Sequence, residues 1–102
     1  RHLQDPVIAE EQLTVQIINA SGVPGLGGRL AAVLENMGSN VVSVITARSK
    51  ESESTVAYYG EETYTIQKIT RLLDFPAASL SEETIADIVI TIGEDDSETN
   101  KF

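Results

Sequence analysis

Leu13-Thr14-Val15-Gln16-Ile17-Ile18-Asn19-Ala20-Ser21-Gly22-Val23-Pro24-Gly25-Leu26 is the stretch from which the rest of the chain can be read. In its first half Leu13, Val15 and Ile17 alternate with Thr14, Gln16 and Ile18, the period of a strand with one buried face. Asn19 ends that strand, a glycine-rich turn follows over residues 20–25, and Leu26, Leu30, Val33, Leu34 and Met37 then fall at helical spacing. The spacing predicts a first helix over residues 24–37. Pro24 suits its first position, where an N–H would be unpaired anyway, and Gly38 suits a left-handed stop.

Downstream, the β-branched run 41–46 predicts a second strand, and a hydrophilic connection, 48–53, separates it from a third at 55–59. Ile66, Ile69, Leu72 and Leu73 mark a second helix, with Glu61 and Glu62 at its positive end and Lys68 and Arg71 toward its negative end. Pro76 closes that helix, and the periodic stretch 87–92 predicts a fourth strand ended by Gly93, with acidic residues following from Glu94 to the end. Upstream, residues 1–10 are polar, contain Pro6 and show no sustained period, so they read as a linker. The expected organisation is a linker over 1–10, a domain over 11–95 and an acidic tail over 96–102.

The order β-α-β-β-α-β predicts a ferredoxin-like fold: a four-stranded antiparallel sheet with strands one and three central and two helices on one face. The opposite face then carries Thr14, Gln16, Ser43, Ile45, Val89 and Thr91. That mixture of small polar and apolar groups suits either solvent or a ligand.

The composition narrows the function. At 102 residues the chain has room for one core, and 41% hydrophobic residues with 5% aromatics indicate a core of aliphatic side chains. Sixteen Asp and Glu against seven Lys and Arg give a formal charge of -9, which repels phosphate polymers and anionic head groups. Nucleic acid and direct membrane contact are therefore excluded as expected partners. The absence of Cys removes disulfides, thiolate metal sites and thiol nucleophiles. No apolar run approaches the ~20 residues that cross a bilayer. Because the chain begins at Arg1 and not Met, it reads as a fragment, with any anchor or targeting segment expected upstream.

The candidate motifs do not reach a catalytic set. A dinucleotide fingerprint beginning at Gly25 requires a small residue where Leu30 stands, and a phosphate-binding loop beginning at Gly22 requires Lys where Gly28 stands. Gly27 and Gly28 read instead as close-approach positions between helix and sheet. Asn19 and Ser21, beside Gly22, Val23, Pro24 and Gly25, form a loop that either orients a ligand or bonds its own backbone as a turn. His2 has no partner in its local pattern, and the acidic stretch 94–98 lacks the spacing of a calcium loop. No catalytic residue, metal ligand or cofactor-binding residue is expected.

The string Val15 to Leu26 resembles the opening signature of the C-terminal domain of LytR-CpsA-Psr cell-envelope proteins. Gly38, the Thr55-Val56 pair with Tyr59, and Ile90 to Gly93 followed by Asp95 are similar to its later landmarks, so the resemblance runs from about Leu13 to Asp95. Ala20 and the Gly27-Gly28 pair depart from the pattern but remain small. The resemblance implies a non-catalytic accessory domain on the outer side of the membrane, anchored by an upstream segment. In that family a separate catalytic domain transfers glycopolymer. A protein partner or a neutral wall glycan is the first expectation for a ligand. A structural spacer or self-association domain comes second, with a homo-oligomer as one form of it, and a phosphate- or nucleotide-binding enzyme domain last.

Overall fold

A computed structural model describes residues 5–97 and Phe102. The elements in chain order are α1 (Pro6–Glu11), β1 (Thr14–Asn19), α2 (Leu26–Met37), β2 (Asn40–Thr46), β3 (Thr55–Tyr59), α3 (Tyr64–Leu73), β4 (Ala77–Leu80) and β5 (Ile88–Ile92), and a 3-10 turn, Glu94–Asp96, closes the series.

The sheet has five strands in the order β2-β1-β5-β3-β4. β1 runs parallel to β2 and to β5, β3 runs parallel to β4, and only the β3–β5 pairing is antiparallel. The fold is thus a mixed α/β domain, and the expected four-stranded antiparallel ferredoxin-like sheet is corrected on strand number, direction and order. Two strand-helix-strand units, β1-α2-β2 and β3-α3-β4, each keep their strands adjacent. β5 lies between the units and at the centre, where strands one and three were expected. Periodicity reports which face of a strand is buried, not which strand is its neighbour, and that is how the order escaped it. β4 escaped because Ala77-Ala78-Ser79-Leu80 has neither β-branched residues nor alternation.

All three helices belong to one face. Val15 and Ile17 of β1, Val56 of β3 and Ile88, Ile90 and Ile92 of β5 meet Leu26, Leu30 and Leu34 of α2 and Ile66, Ile69 and Leu73 of α3 in a single core. All six strand residues are completely buried. Helix α2 starts at Leu26, two residues after the expected start, because Gly25 stands in the left-handed region at φ 89°. It ends as expected at Gly38, φ 109°, where Ser39 N–H reaches Leu34 O at 3.0 Å. Gly27 is the true close-approach position, since a Cβ there would lie 2.9 Å from Val44 Cγ1. Gly28 is exposed with nothing within 4 Å, which corrects the pairing of the two glycines in that role.

Residues 6–11 form helix α1 where a linker was expected. Asp5 caps it by accepting Val7 N–H at 3.0 Å, Pro6 opens it, and Gln12 ends it at φ 56°. A helix of one to two turns is too short to show a period or to stand alone. Tertiary contacts hold it: Ile8 is buried, Asp5 N–H donates to Met37 O at 2.8 Å, and the Tyr64 hydroxyl donates to Asp5 Oδ2 at 2.7 Å. Glu11 in turn accepts Thr65 N–H at 2.9 Å and caps the start of α3. Glu61 and Glu62 stand just before the N-cap Thr63, beside the positive end of α3, which begins at Tyr64.

Candidate functional site

With the helices on one side, the other face of the sheet is bare. Gln16 sits between Ser43 and Val89 in the register, Ile18 between Ile45 and Thr91, and Thr55 and Ala57 of β3 pair with Thr91 and Val89. The six expected face residues therefore share one surface. Thr14 is spent on anchoring, because its N–H and hydroxyl donate to Asp87 Oδ2 at 2.9 and 3.1 Å while Asp87 N–H donates back to the hydroxyl at 3.0 Å. Gln16 Nε2 donates to Ser43 Oγ at 3.3 Å. Sequence reasoning omitted Ile18, Thr55 and Ala57 from the candidates. The alternation of β1 already put Ile18 opposite Ile17, whereas Thr55 and Ala57 needed the β3–β5 pairing.

At the C-terminal ends of β1, β2 and β5 this face deepens into a groove of about 300 Å³. Ile18, Thr55 and Thr91 form its floor, and Ala20, Ala47 and the run Glu51-Ser52-Glu53 form its rim. The rim segment is tied at several points: Ala47 N–H to Asn19 O at 3.0 Å, Glu51 N–H to Ala20 O at 3.0 Å, and Glu94 N–H to Glu51 O at 2.8 Å. Beyond it the Ser54 hydroxyl donates to Asp95 Oδ1 at 2.7 Å and accepts Gly93 N–H at 2.8 Å. Glu94 and Asp95, which open the acidic run, thus belong to a clip. Phe102 also packs beside the core, where it lines an apolar hollow of about 380 Å³ with Val33, Leu72, Leu73 and Asp74. Residues 98–101 and His2 lie outside the described residues.

The glycine loop turns its polar atoms on itself. Asn19 Oδ1 accepts Ser21 N–H at 3.2 Å and the Ser21 hydroxyl at 2.6 Å, and Asn19 Nδ2 donates to Val23 O at 2.9 Å. Ser21 Oγ then accepts Val23 N–H at 3.1 Å. Asn19 and Ser21 are both buried. A cavity of about 200 Å³ remains beside Gly22, Val23, Pro24, Gly25, Asn19 and Thr46.

Among the described residues proton affinities are displaced at three carboxylates and two phenols. A hydrogen bond from Tyr64 holds Asp5 below its ordinary value, contact with Thr65 does the same for Glu11, and the Ser54 hydroxyl does so for Asp95. Burial, with Glu62 alongside, raises Tyr58, and the bond to Asp5 raises Tyr64. None of these five residues lines the groove. Among the described residues no group of three or more acidic, His or Cys side chains is placed to hold a metal ion.

The fold is a small two-layer α/β domain, with helices on one side and an open, grooved sheet face on the other. The chain belongs to the LytR_C family: the family model described as LytR cell envelope-related transcriptional attenuator matches residues 12–95. Comparison with curated proteins and with solved structures gave no match. The domain is accordingly a cell-envelope-associated one, and among the described residues no helix is long and apolar enough to cross a membrane.

Proposed function

We propose that this is a non-catalytic, extracytoplasmic accessory domain, anchored through the protein it belongs to, whose bare sheet face takes a protein partner or a neutral wall glycan. The observation that carries the reading is the face itself. Small polar groups (Gln16, Ser43, Thr55, Thr91) lie among Ile18, Ile45 and Val89 on four paired strands, and a braced groove lies at one end. Hydroxyl and amide groups set among apolar patches suit sugar rings or an apolar protein surface, whereas the acidic rim of Glu51 and Glu53 and the charge of -9 oppose anionic ligands. Turnover chemistry has no support here, because the displaced proton affinities belong to helix caps and clips outside the groove.

Co-sedimentation with purified peptidoglycan tests the proposal, using the unmodified chain and Thr91→Arg, which fills the groove from its floor. Retention lost on substitution, with the unfolding transition preserved, supports the face as the binding surface. Retention that survives the substitution removes the face from the reading. No retention of the unmodified chain favours the second reading, a spacer or self-association domain, which the exposed edge strand β2 independently suggests.

A further inference from the structure

We propose that β2 is a self-pairing edge: two copies of this chain join antiparallel through β2, centred on Val44, and extend the sheet across a two-fold axis. This inference does not depend on what the bare face binds.

Among the described residues β2 pairs with β1 alone, so its outer side has no strand partner there. Three of the large exposed apolar side chains lie on it, Val42 at 47%, Val44 at 45% and Ile45 at 46% exposed, a concentration found on no other element. Residues 36–47 contain no charged residue and no Pro, so the usual deterrents to edge pairing are missing from the strand. A bulge at Val42 does interrupt the register with β1, but Ser43–Thr46 beyond it pair regularly with Gln16–Asn19.

The backbone phase selects the register. Ala47 N–H donates inward to Asn19 O, so strand alternation turns Val44 and Thr46 outward. A two-fold axis through Val44 then makes Val44 and its copy a doubly hydrogen-bonded pair, with Ser43 opposite the other chain's Ile45 and Thr46 opposite its Val42. Side chains that face each other stay on the same side of the sheet, as antiparallel pairing requires.

Charge at the two ends of β2 selects a second copy over a foreign strand. Past its C-terminal end stands Arg48, which has no ion-pair partner among the described residues. At its N-terminal end lies the negative pole of α2, with Glu35 in the last turn and no basic residue there to offset it. Antiparallel self-pairing brings each Arg48 toward the other copy's α2 terminus, twice by symmetry.

Sedimentation equilibrium across a wide concentration range, in enough salt to screen two chains of -9, is the test. A mass rising to two chains is expected, with Thr46→Lys and Val42→Lys each returning it to one. Arg48→Glu should weaken association by about tenfold, and Glu35→Arg added to it should restore it. Hydrogen exchange on the unmodified chain supplies a readout free of variant folding: the Val44 and Thr46 amides slow as concentration rises. A one-chain mass at every concentration overturns the proposal. So does a dimer indifferent to Thr46→Lys and Val42→Lys in variants that keep their unfolding transition.

Discussion

The Ser54 hydroxyl bridges two strands' ends by donating to Asp95 Oδ1 at 2.7 Å, while Asp95 also accepts Ser54 N–H at 3.1 Å. Ser54 Oγ also accepts Gly93 N–H at 2.8 Å, so one buried serine joins the start of β3 to the end of β5. This clip also fixes the rim of the groove, since Glu94 and Asp95 N–H groups bond to Glu51 O and Ser52 O. Ser54→Ala leaves Gly93 N–H buried without a partner and should cost about 2 kcal/mol in urea unfolding.

Acid should loosen the fold through the braced carboxylates. Asp5, Glu11 and Asp95 all titrate below their ordinary values of 3.8, 4.5 and 3.8. A lowered folded value means that the native state holds the charged form, so the stabilisation is complete above the ordinary value and fades as pH falls through the lowered one. Unfolding midpoints measured from pH 7 down to about pH 2 should hold until about pH 4.5 and then drop. Asp95→Asn should flatten that drop and lower the plateau above it.

Asn19→Ala removes an acceptor shared by Ser21 N–H and hydroxyl and a donor to Val23 O, all within one buried turn. A single local hydrogen bond is worth about 1 kcal/mol, and the loss here should approach about 2 kcal/mol by thermal or urea unfolding. Unchanged stability together with lost wall retention would instead assign Asn19 to binding.

Three glycines should respond differently to alanine. Gly93→Ala drives a Cβ to within 2.4 Å of the Glu53 backbone and should cost more than about 3 kcal/mol, since neither chain segment can move without opening the Ser54 clip. Gly25→Ala meets no neighbour but holds φ 89°, and should cost about 1 kcal/mol. Gly28→Ala meets open space inside α2 and should raise stability by up to about 1 kcal/mol, measured in the same unfolding series.

Teichoic acid and nucleic acid should not bind the chain in chelator. Seven basic residues against sixteen acidic ones cannot supply counterion release. Titration at low and high salt, with calcium or magnesium and with chelator, separates direct contact from cation bridging. Binding in chelator that weakens as salt rises would reveal a basic surface.

Alternation in β1, the periods of α2 and α3, and the glycine stop at Gly38 were legible from residue order, because each is set within a few residues by backbone geometry and by the need to bury one face. The family resemblance rested on the same residues, whereas the helices' shared side was expected from a ferredoxin-like order that the sheet does not have. Tertiary structure alone decided the rest. Ile-Val-Ile-Thr-Ile of β5 and Asn-Val-Val-Ser-Val-Ile-Thr of β2 look equally apolar, yet β5 has strands on both sides and β2 has one. Helix α1 exists because Met37, Tyr64 and Thr65 hold its ends, and β4 because Val56 to Tyr59 offer it an edge. Strand order, and with it the membership of the bare face and the groove, depends on which chain segments meet across long separations. Hydrogen-bonding groups of the backbone are the same at every residue but proline, so local pattern carries no record of the partner they find.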